Sequence, residues 1–384
     1  MLTHLDPASA LAGALLIFAL VMVILFEATN GFHDAANAVA TVIYSRSLAP
    51  GQAVVWSGIM NFIGVLVGGI SVAFALVELL PAEVLSPPDG GPAVAMLVSL
   101  FFAALIWNLG TWWLALPNSS SHCLIGALIG VALGNALVHS RSLSEGVHWH
   151  QVIKVLEALA LSPLLGFVLA GLLYLFARRT LHDPHLYAPA GEKPPVWWLR
   201  GLLILTCSGV SFAHGTNDGQ KSIGLIMLTI IGLFPASYAL NPQAGRSLAA
   251  LPDLMQQAQP LIAALGDDQK EQALNAARSI QQQASRGESV ARLASLGTTE
   301  PSALHMQPAT ASELARRRSS IRDDVYRVIS QLKQVEESRK ASPAQKQLAK
   351  KLARSMGGTV EYAPAWVRLL SAFCLGTGTM IGYR

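Results

Sequence analysis

Apolar residues run in long unbroken blocks through two parts of this chain and in a helical stripe through a third. From Ala53 to Val77, and again from Ala93 to Ser140, there is no Asp, Glu, Lys or Arg. A helix needs roughly 20 apolar residues to cross hydrocarbon. The first block therefore predicts one span, and the second is long enough for two passes, or for one pass and a re-entrant hairpin. The same pattern predicts helices over about 11–45, 54–79, 93–116, up to about 138, 152–177, and about 197–240, resuming at 363–384. The first of these is too long for one crossing, so a break is expected near Asn30 and Gly31. Pro81, Pro87, Pro88, Gly90, Gly91 and Pro92 mark an irregular loop.

Between 243 and 360 the pattern changes. Gln, Ala, Ser, Arg and Lys dominate, while Leu251, Leu254, Leu261 and Ile262, then Val325, Ile329 and Leu332, fall at helical spacing. This predicts a soluble helical insert. Its basic residues, with Arg316, Arg317 and Arg318 consecutive, read as a solvated face and put it on the cytoplasmic side.

Composition agrees with a membrane chain. Hydrophobic residues make up 52% and charged residues 13%, about half the roughly 25% of soluble domains. The net charge of +4 reflects basic loops and implies no nucleic-acid partner. Cys123, Cys207 and Cys374 lie in apolar surroundings without metal-ligand spacing, so neither a disulfide nor a metal centre is expected. His4 and Asp6 stand where a cleaved leader would carry Lys or Arg, which makes the first apolar run a permanent span.

The candidate chemistry lies inside the apolar blocks. Gly31-Phe32-His33-Asp34-Ala35-Ala36-Asn37 and Gly215-Thr216-Asn217-Asp218-Gly219-Gln220-Lys221 each set an aspartate among glycines and amides, 184 positions apart. A carboxylate at membrane depth costs several kcal/mol, about 3 on insertion scales, so it persists with a partner or a task. Two such sites in register suggest an internal repeat around a central site. In each, the residue three places after the aspartate shares its helix face, Asn37 in one and Lys221 in the other. Asp34 with Asn37 can offer oxygens to a cation or take a proton. Asp218 with Lys221 is self-neutralising, or leaves the lysine to meet an anion. Glu27, one turn before the first motif, is a candidate proton relay.

Pro117-Asn118-Ser119-Ser120-Ser121-His122 breaks the second charge-free block. Hydroxyls and free N–H groups at the start of a helix make an anion site. The alternative is an ordinary helix cap. Asn61, Asn108 and Thr111 are further polar residues within spans, and neither a nucleophile–base pair nor a metal-ligand cluster suggests an enzyme.

The stretches 31–41, 116–122 and 214–221 resemble the inorganic phosphate transporter (PiT) family, closest to its bacterial low-affinity permeases. The resemblance implies an all-α membrane protein, a multi-span helical transporter with inverted repeats, broken helices and a re-entrant serine loop, plus the soluble insert. It divides the chain into repeat one (1–180), the start of repeat two (196–242), the insert (243–362) and a further helix of repeat two (363–384). It implies low-affinity transport of inorganic phosphate in a bacterial inner membrane, with the lipid bilayer as surroundings and a homodimer as the assembly to test. Ser119, Ser120, Ser121 and Lys221 would bind phosphate, and Asp34, Asn37, Asn217 and Asp218, with His33 and Glu27, would serve the coupling ion. His33 stands where the general motif has Asn, which suits a proton rather than sodium. In these relatives phosphate travels as a neutral complex with a divalent metal, and no resident cofactor is implied.

The resemblance also predicts a second serine loop beyond Arg384, so this sequence reads as a truncated product or one of two polypeptides. Two rival functions follow: a permease for sulfate or another oxyanion, and an inactive chain or adaptor acting through the insert.

Overall fold

The computed structural model describes residues 7–70, 73, 91–138, 149–187, 193–265, 270–285, 290, 308–338 and 340–382. The proline-rich stretch 81–90, most of the end of the expected 54–79 span and part of the insert lie outside them. All regular structure among the described residues is helical. In chain order the helices are α1 (Pro7–Tyr44), α2 (Pro50–Val67), α3 (Gly91–Trp113), α4 (Ser120–Val138), α5 (Trp149–Thr180) and α6 (Trp197–Leu233). They continue with the short α7 (Pro235–Tyr238) and α8 (Gly245–Ala249), then α9 (Leu251–Ala263), α10 (Lys270–Ser285), α11 (Pro308–Glu337), α12 (Pro343–Val360) and α13 (Ala365–Ile381). By length and composition α1 to α5 can cross a membrane, while α13 is shorter and α6 is diluted by its polar motif. The charge-free block from 93 to 140 thus forms two helices with the serine cluster at their turn.

The chain forms two compact units. One comprises Phe18–Val84, Ala95–Ile226 and Ala365–Arg384; the other comprises Met227–Pro364 with Met1–Ile17 and Leu85–Val94.

In the first unit the expected break at Asn30 and Gly31 does not occur: α1 runs 38 residues without interruption, and α6 passes through Gly215 and Gly219 just as smoothly. The glycines serve close packing instead. A Cβ on Gly31 would come within 2.8 Å of the Thr379 backbone nitrogen in α13, and one on Gly378 within 2.9 Å of the Ala28 carbonyl carbon in α1. The crossing of α6 with α2 repeats this arrangement. A Cβ on Gly215 would lie 2.8 Å from the Asn61 carbonyl carbon, and one on Gly64 2.9 Å from the Thr216 nitrogen. Adding 184 carries Ala28 and Gly31 to Phe212 and Gly215, and adding 314 carries Asn61 and Gly64 to Leu375 and Gly378. The two crossings are the same contact made twice. Small residues that admit backbone contact drive helix association where lipid tails remove the hydrophobic difference. Hydroxyls reinforce it: Ser57 Oγ lies 2.8 Å from Ser211 Oγ, and Trp56 Nε1 donates to Ser208 Oγ at 2.7 Å.

The second unit has a conventional apolar core. Leu251, Met255 and Ile262 of α9, Ala277 and Ile280 of α10, Ile321, Val325 and Leu332 of α11, and Leu352 and Met356 of α12 pack in one buried cluster. A capping box starts α12: Gln345 N donates to Ser342 Oγ at 3.3 Å, and Ser342 N donates to Gln345 Oε1 at 2.8 Å. The basic residues are not all solvated as expected. Arg318 is 1% exposed and Arg322 2%. Arg322 lies inside because it has backbone to bind: Nη1 donates to Ala239 O (3.1 Å) and Val360 O (2.8 Å), and Nη2 to Tyr326 Oη (3.2 Å). Asn241 N donates to Thr359 O at 2.8 Å, and Tyr362 Oη to Tyr238 O at 3.2 Å, so segments 238–241 and 359–362 are clasped together. Burial disfavours the Arg318 charge and pushes the Tyr362 phenol up. It also raises Asp324 to about 6, against a smaller opposing pull from Ser279 and Arg327.

Candidate transport site

Helical spacing puts Glu27, Asn30 and Asp34 on one face of α1, and His214, Asp218 and Ser222 on one face of α6. The glycine crossings hold α1 against α13 and α6 against α2, and the polar faces of α1 and α6 meet. Asp34 faces His214, and Asp218 faces Asn30, an exchange of partners related by the 184-residue offset.

His214 stands between the two aspartates. Its Nε2 lies 3.2 Å from Asp34 Oδ2 and 3.6 Å from Asp218 Oδ2, and its Nδ1 lies 2.6 Å from Asn61 Oδ1. Asn61 Nδ2 donates to Ser57 O at 3.1 Å, which fixes the amide and makes Nδ1 of His214 a donor. Nε2 can then do one of two things. Protonated, it donates to Asp34 and neutralises part of the acid pair. Deprotonated, it joins Asp34 and Asp218 as a three-ligand set whose ligand atoms lie within 4.8 Å of one another. A ring nitrogen held by a carbonyl-type acceptor is the usual support for a metal-ligating histidine. This set departs from the expectation of no metal-ligating cluster, because its members come from helices 180 residues apart and no local spacing reveals it.

Lys221 Nζ donates to Asp218 Oδ1 at 2.6 Å and also to Ser121 Oγ, tying the second motif to the serine turn. Asn30 Nδ2 (3.4 Å) and Asn217 Nδ2 (3.3 Å) donate to the same carboxylate. Glu27 is fully buried, with Ser222 Oγ donating to its Oε2. Phe26, Glu27, Asn30, Ser120, Ser121, Leu124, Asp218, Lys221 and Ser222 line a cavity that is water-sized in this conformation.

The serine turn is held by Asn108 of α3, itself fully buried. Its Nδ2 donates to Thr29 Oγ1 and to Ser120 Oγ, each at 3.4 Å, and its Oδ1 accepts from Asn118 Nδ2 at 2.7 Å. α3 ends in a Schellman turn: Leu116 N donates to Thr111 O, Ala115 N donates to Trp112 O, and Ala115 has a φ of 52°. This closes α3 and delivers Ser120 and Ser121 to the cavity.

The other expected site residues do not line the cavity. Ser119 does not line the cavity; its Oγ lies 2.8 Å from His122 Nδ1. His33 Nε2 donates to Asn108 O at 2.7 Å, stacked on Phe32, and so braces α1 against α3. Asn37 is exposed, 3.5 Å from Asp34 Oδ1, and Asn217 is also exposed. Sequence reasoning passed over His214, Asn30, Asn61, Asn108 and Ser222 as site residues. The spacing of His214 four before Asp218, and Ser222 four after it, was the signal available.

Compared with known proteins, residues 30–384 match the model of the phosphate transporter family. The chain belongs to the phosphate transporter family. It is 37% identical to the low-affinity inorganic phosphate transporter PitA of Escherichia coli strain K12, over 97% of this chain and 78% of that protein. PitB of the same strain is 38% identical over the same shares. The low-affinity inorganic phosphate transporter of Buchnera aphidicola from Acyrthosiphon pisum is 35% identical, over 99% of this chain and 80% of that protein. No solved structure matches the chain.

Proposed function

We propose that this chain carries inorganic phosphate across a bacterial inner membrane by symport with protons. The observation that carries the reading is the meeting of Lys221, Ser120 and Ser121 at one cavity beside the Asp34–His214–Asp218 cluster. Hydroxyl and ammonium donors suit a tetrahedral oxyanion, and the lysine supplies the compensating charge. Ser120, Ser121 and Lys221 bind the anion, and Ser119 supports the turn through His122. Asp34, Asp218 and His214 hold the companion ion, with Asn37 and Asn217 flanking the two carboxylates. Relatives along nearly the whole chain are named low-affinity phosphate transporters, which supports phosphate as the cargo.

Coupling is needed because anion entry opposes a negative-inside potential, by about 2.3 kcal/mol per charge per 100 mV. A proton taken by Asp34, Asp218 or His214 offsets that charge. The test is phosphate uptake by cells lacking other phosphate carriers. Asp34→Asn and Asp218→Asn are expected to abolish uptake with membrane expression intact, and wild-type rates in both would remove the acids from the mechanism.

The three-ligand set favours one further reading, in which a divalent metal enters as cargo with the phosphate and displaces the Nε2 proton of His214. Uptake should then require Mg²⁺ or Mn²⁺ in the wild type and lose that requirement in His214→Ala. Equal uptake with and without chelator in the wild type rules it out.

A further inference from the structure

The cavity beside Lys221 holds donors and, among the described residues, two acceptors with no hydrogen bond in the protein. Glu27 Oε1 and Asn30 Oδ1 are both buried and both unbonded, and both residues line the cavity with Ser120, Ser121 and Lys221. Their orientation is fixed from behind. Ser222 donates to Glu27 Oε2, so in the ionised carboxylate Oε1 is left as an acceptor. Asn30 Nδ2 donates to Asp218 Oδ2, which turns Oδ1 away from the acid. An unbonded buried acceptor is costly, and a ligand with matching donors removes that cost.

Resting on the phosphate reading above, we infer that Glu27 and Asn30 select the anion by its protons: Oε1 and Oδ1 accept hydrogen bonds from P–OH groups while Lys221, Ser120 and Ser121 serve its other oxygens. At neutral pH phosphate carries one or two such hydrogens in its two prevailing forms, whereas sulfate carries none. Sulfate in this cavity would leave both acceptors unbonded and set an oxygen lone pair against the ionised Glu27 carboxylate. Sites built to bond a substrate hydroxyl reject analogues lacking it by factors up to about 10⁴–10⁵. The cavity therefore excludes the competing tetrahedral oxyanion by acceptor count, with no need for a difference in size.

The experiment displaces labelled phosphate from the purified full chain in lipid nanodiscs with unlabelled phosphate, sulfate and monofluorophosphate at neutral pH. Monofluorophosphate has phosphate's shape but no P–OH under these conditions. In the wild type, sulfate and monofluorophosphate should each compete at least about a hundredfold more weakly than phosphate. Glu27→Met removes the acceptor at similar volume and leaves Ser222 its bond to the Asp218 carbonyl, 3.2 Å away. It should cut the preference for phosphate by about tenfold or more. Equal competition by the three anions in the wild type overturns the inference without any variant and leaves the phosphate site standing. So does an unchanged preference in Glu27→Met that still binds phosphate. If the wild type binds none of the three anions, the phosphate reading falls and this inference with it.

Discussion

The two units of this chain bury polar groups in opposite ways. In the unit that carries the site, large apolar side chains face outward, Phe102, Trp107 and Phe373 among them, while the interior holds Glu27, Asn30, Asn61, Asn108 and Asp218. In the unit that contains residues 227–364 the interior is mostly Leu, Ile, Val, Met and Ala, and buried Arg322 is spent on backbone carbonyls and Tyr326. The first is held by backbone contact at glycines and by hydrogen bonds, the second by amphipathic stripes closing on one another. The difference is the one expected between a surface built for hydrocarbon, which gives an apolar side chain no reason to turn inward, and one built for water, which does.

The largest effect should come from placing a side chain at a glycine crossing. Gly215→Val sets methyl groups against the Asn61 backbone, which cannot yield as a flexible side chain can. Destabilisation beyond about 4 kcal/mol is expected, read as loss of the folded protein by fluorescence size-exclusion chromatography. A normal elution profile would mean that glycine contact is not what holds this unit. Next comes Arg322→Ala, which strands the carbonyls of Ala239 and Val360. It should cost about 3 kcal/mol and speed hydrogen exchange around Arg322 in α11 and at the end of α12 while leaving α2 unchanged. Equal acceleration in both units would break the separation drawn between them.

The smallest effect concerns Asp324, raised to about 6 by burial against an ordinary 3.8. As pH climbs between these values the unfolded chain releases this proton first, so the folded unit loses stability, and the whole penalty is present above about 6. Asp324→Asn should therefore stabilise α10 and α11 by about 1 kcal/mol at pH 7.5, a gain that fades to nothing below about pH 4. Hydrogen exchange at the two pH values measures it. A gain that grows on acidification would reverse the sign and remove burial as the cause.

Much of this was legible in the chain. Charge-free blocks long enough to span hydrocarbon marked the membrane helices, and the change of pattern after residue 243 marked helices that pack around an apolar core of their own. The paired aspartates, Lys221 and the serine cluster were readable because polar residues stand out where the background is apolar. The glycines were visible too, yet their use was not: a glycine permits both a broken helix and a close crossing, and only the partner helix decides between them. Arg322 likewise carries the same letter as its solvated neighbours.

The sequence by itself determined which segments are helical, which faces are polar and which residues bear titratable groups, because those depend on spacing and on chemistry within a few turns. Tertiary structure alone decided that His214 bridges Asp34 and Asp218, that Asn108 steadies the serine turn, and that Glu27 and Asn30, each with an unbonded acceptor, line one cavity with Lys221. Those contacts join residues up to 195 positions apart. Their energy comes from distance and desolvation in space, which no local pattern along the chain encodes.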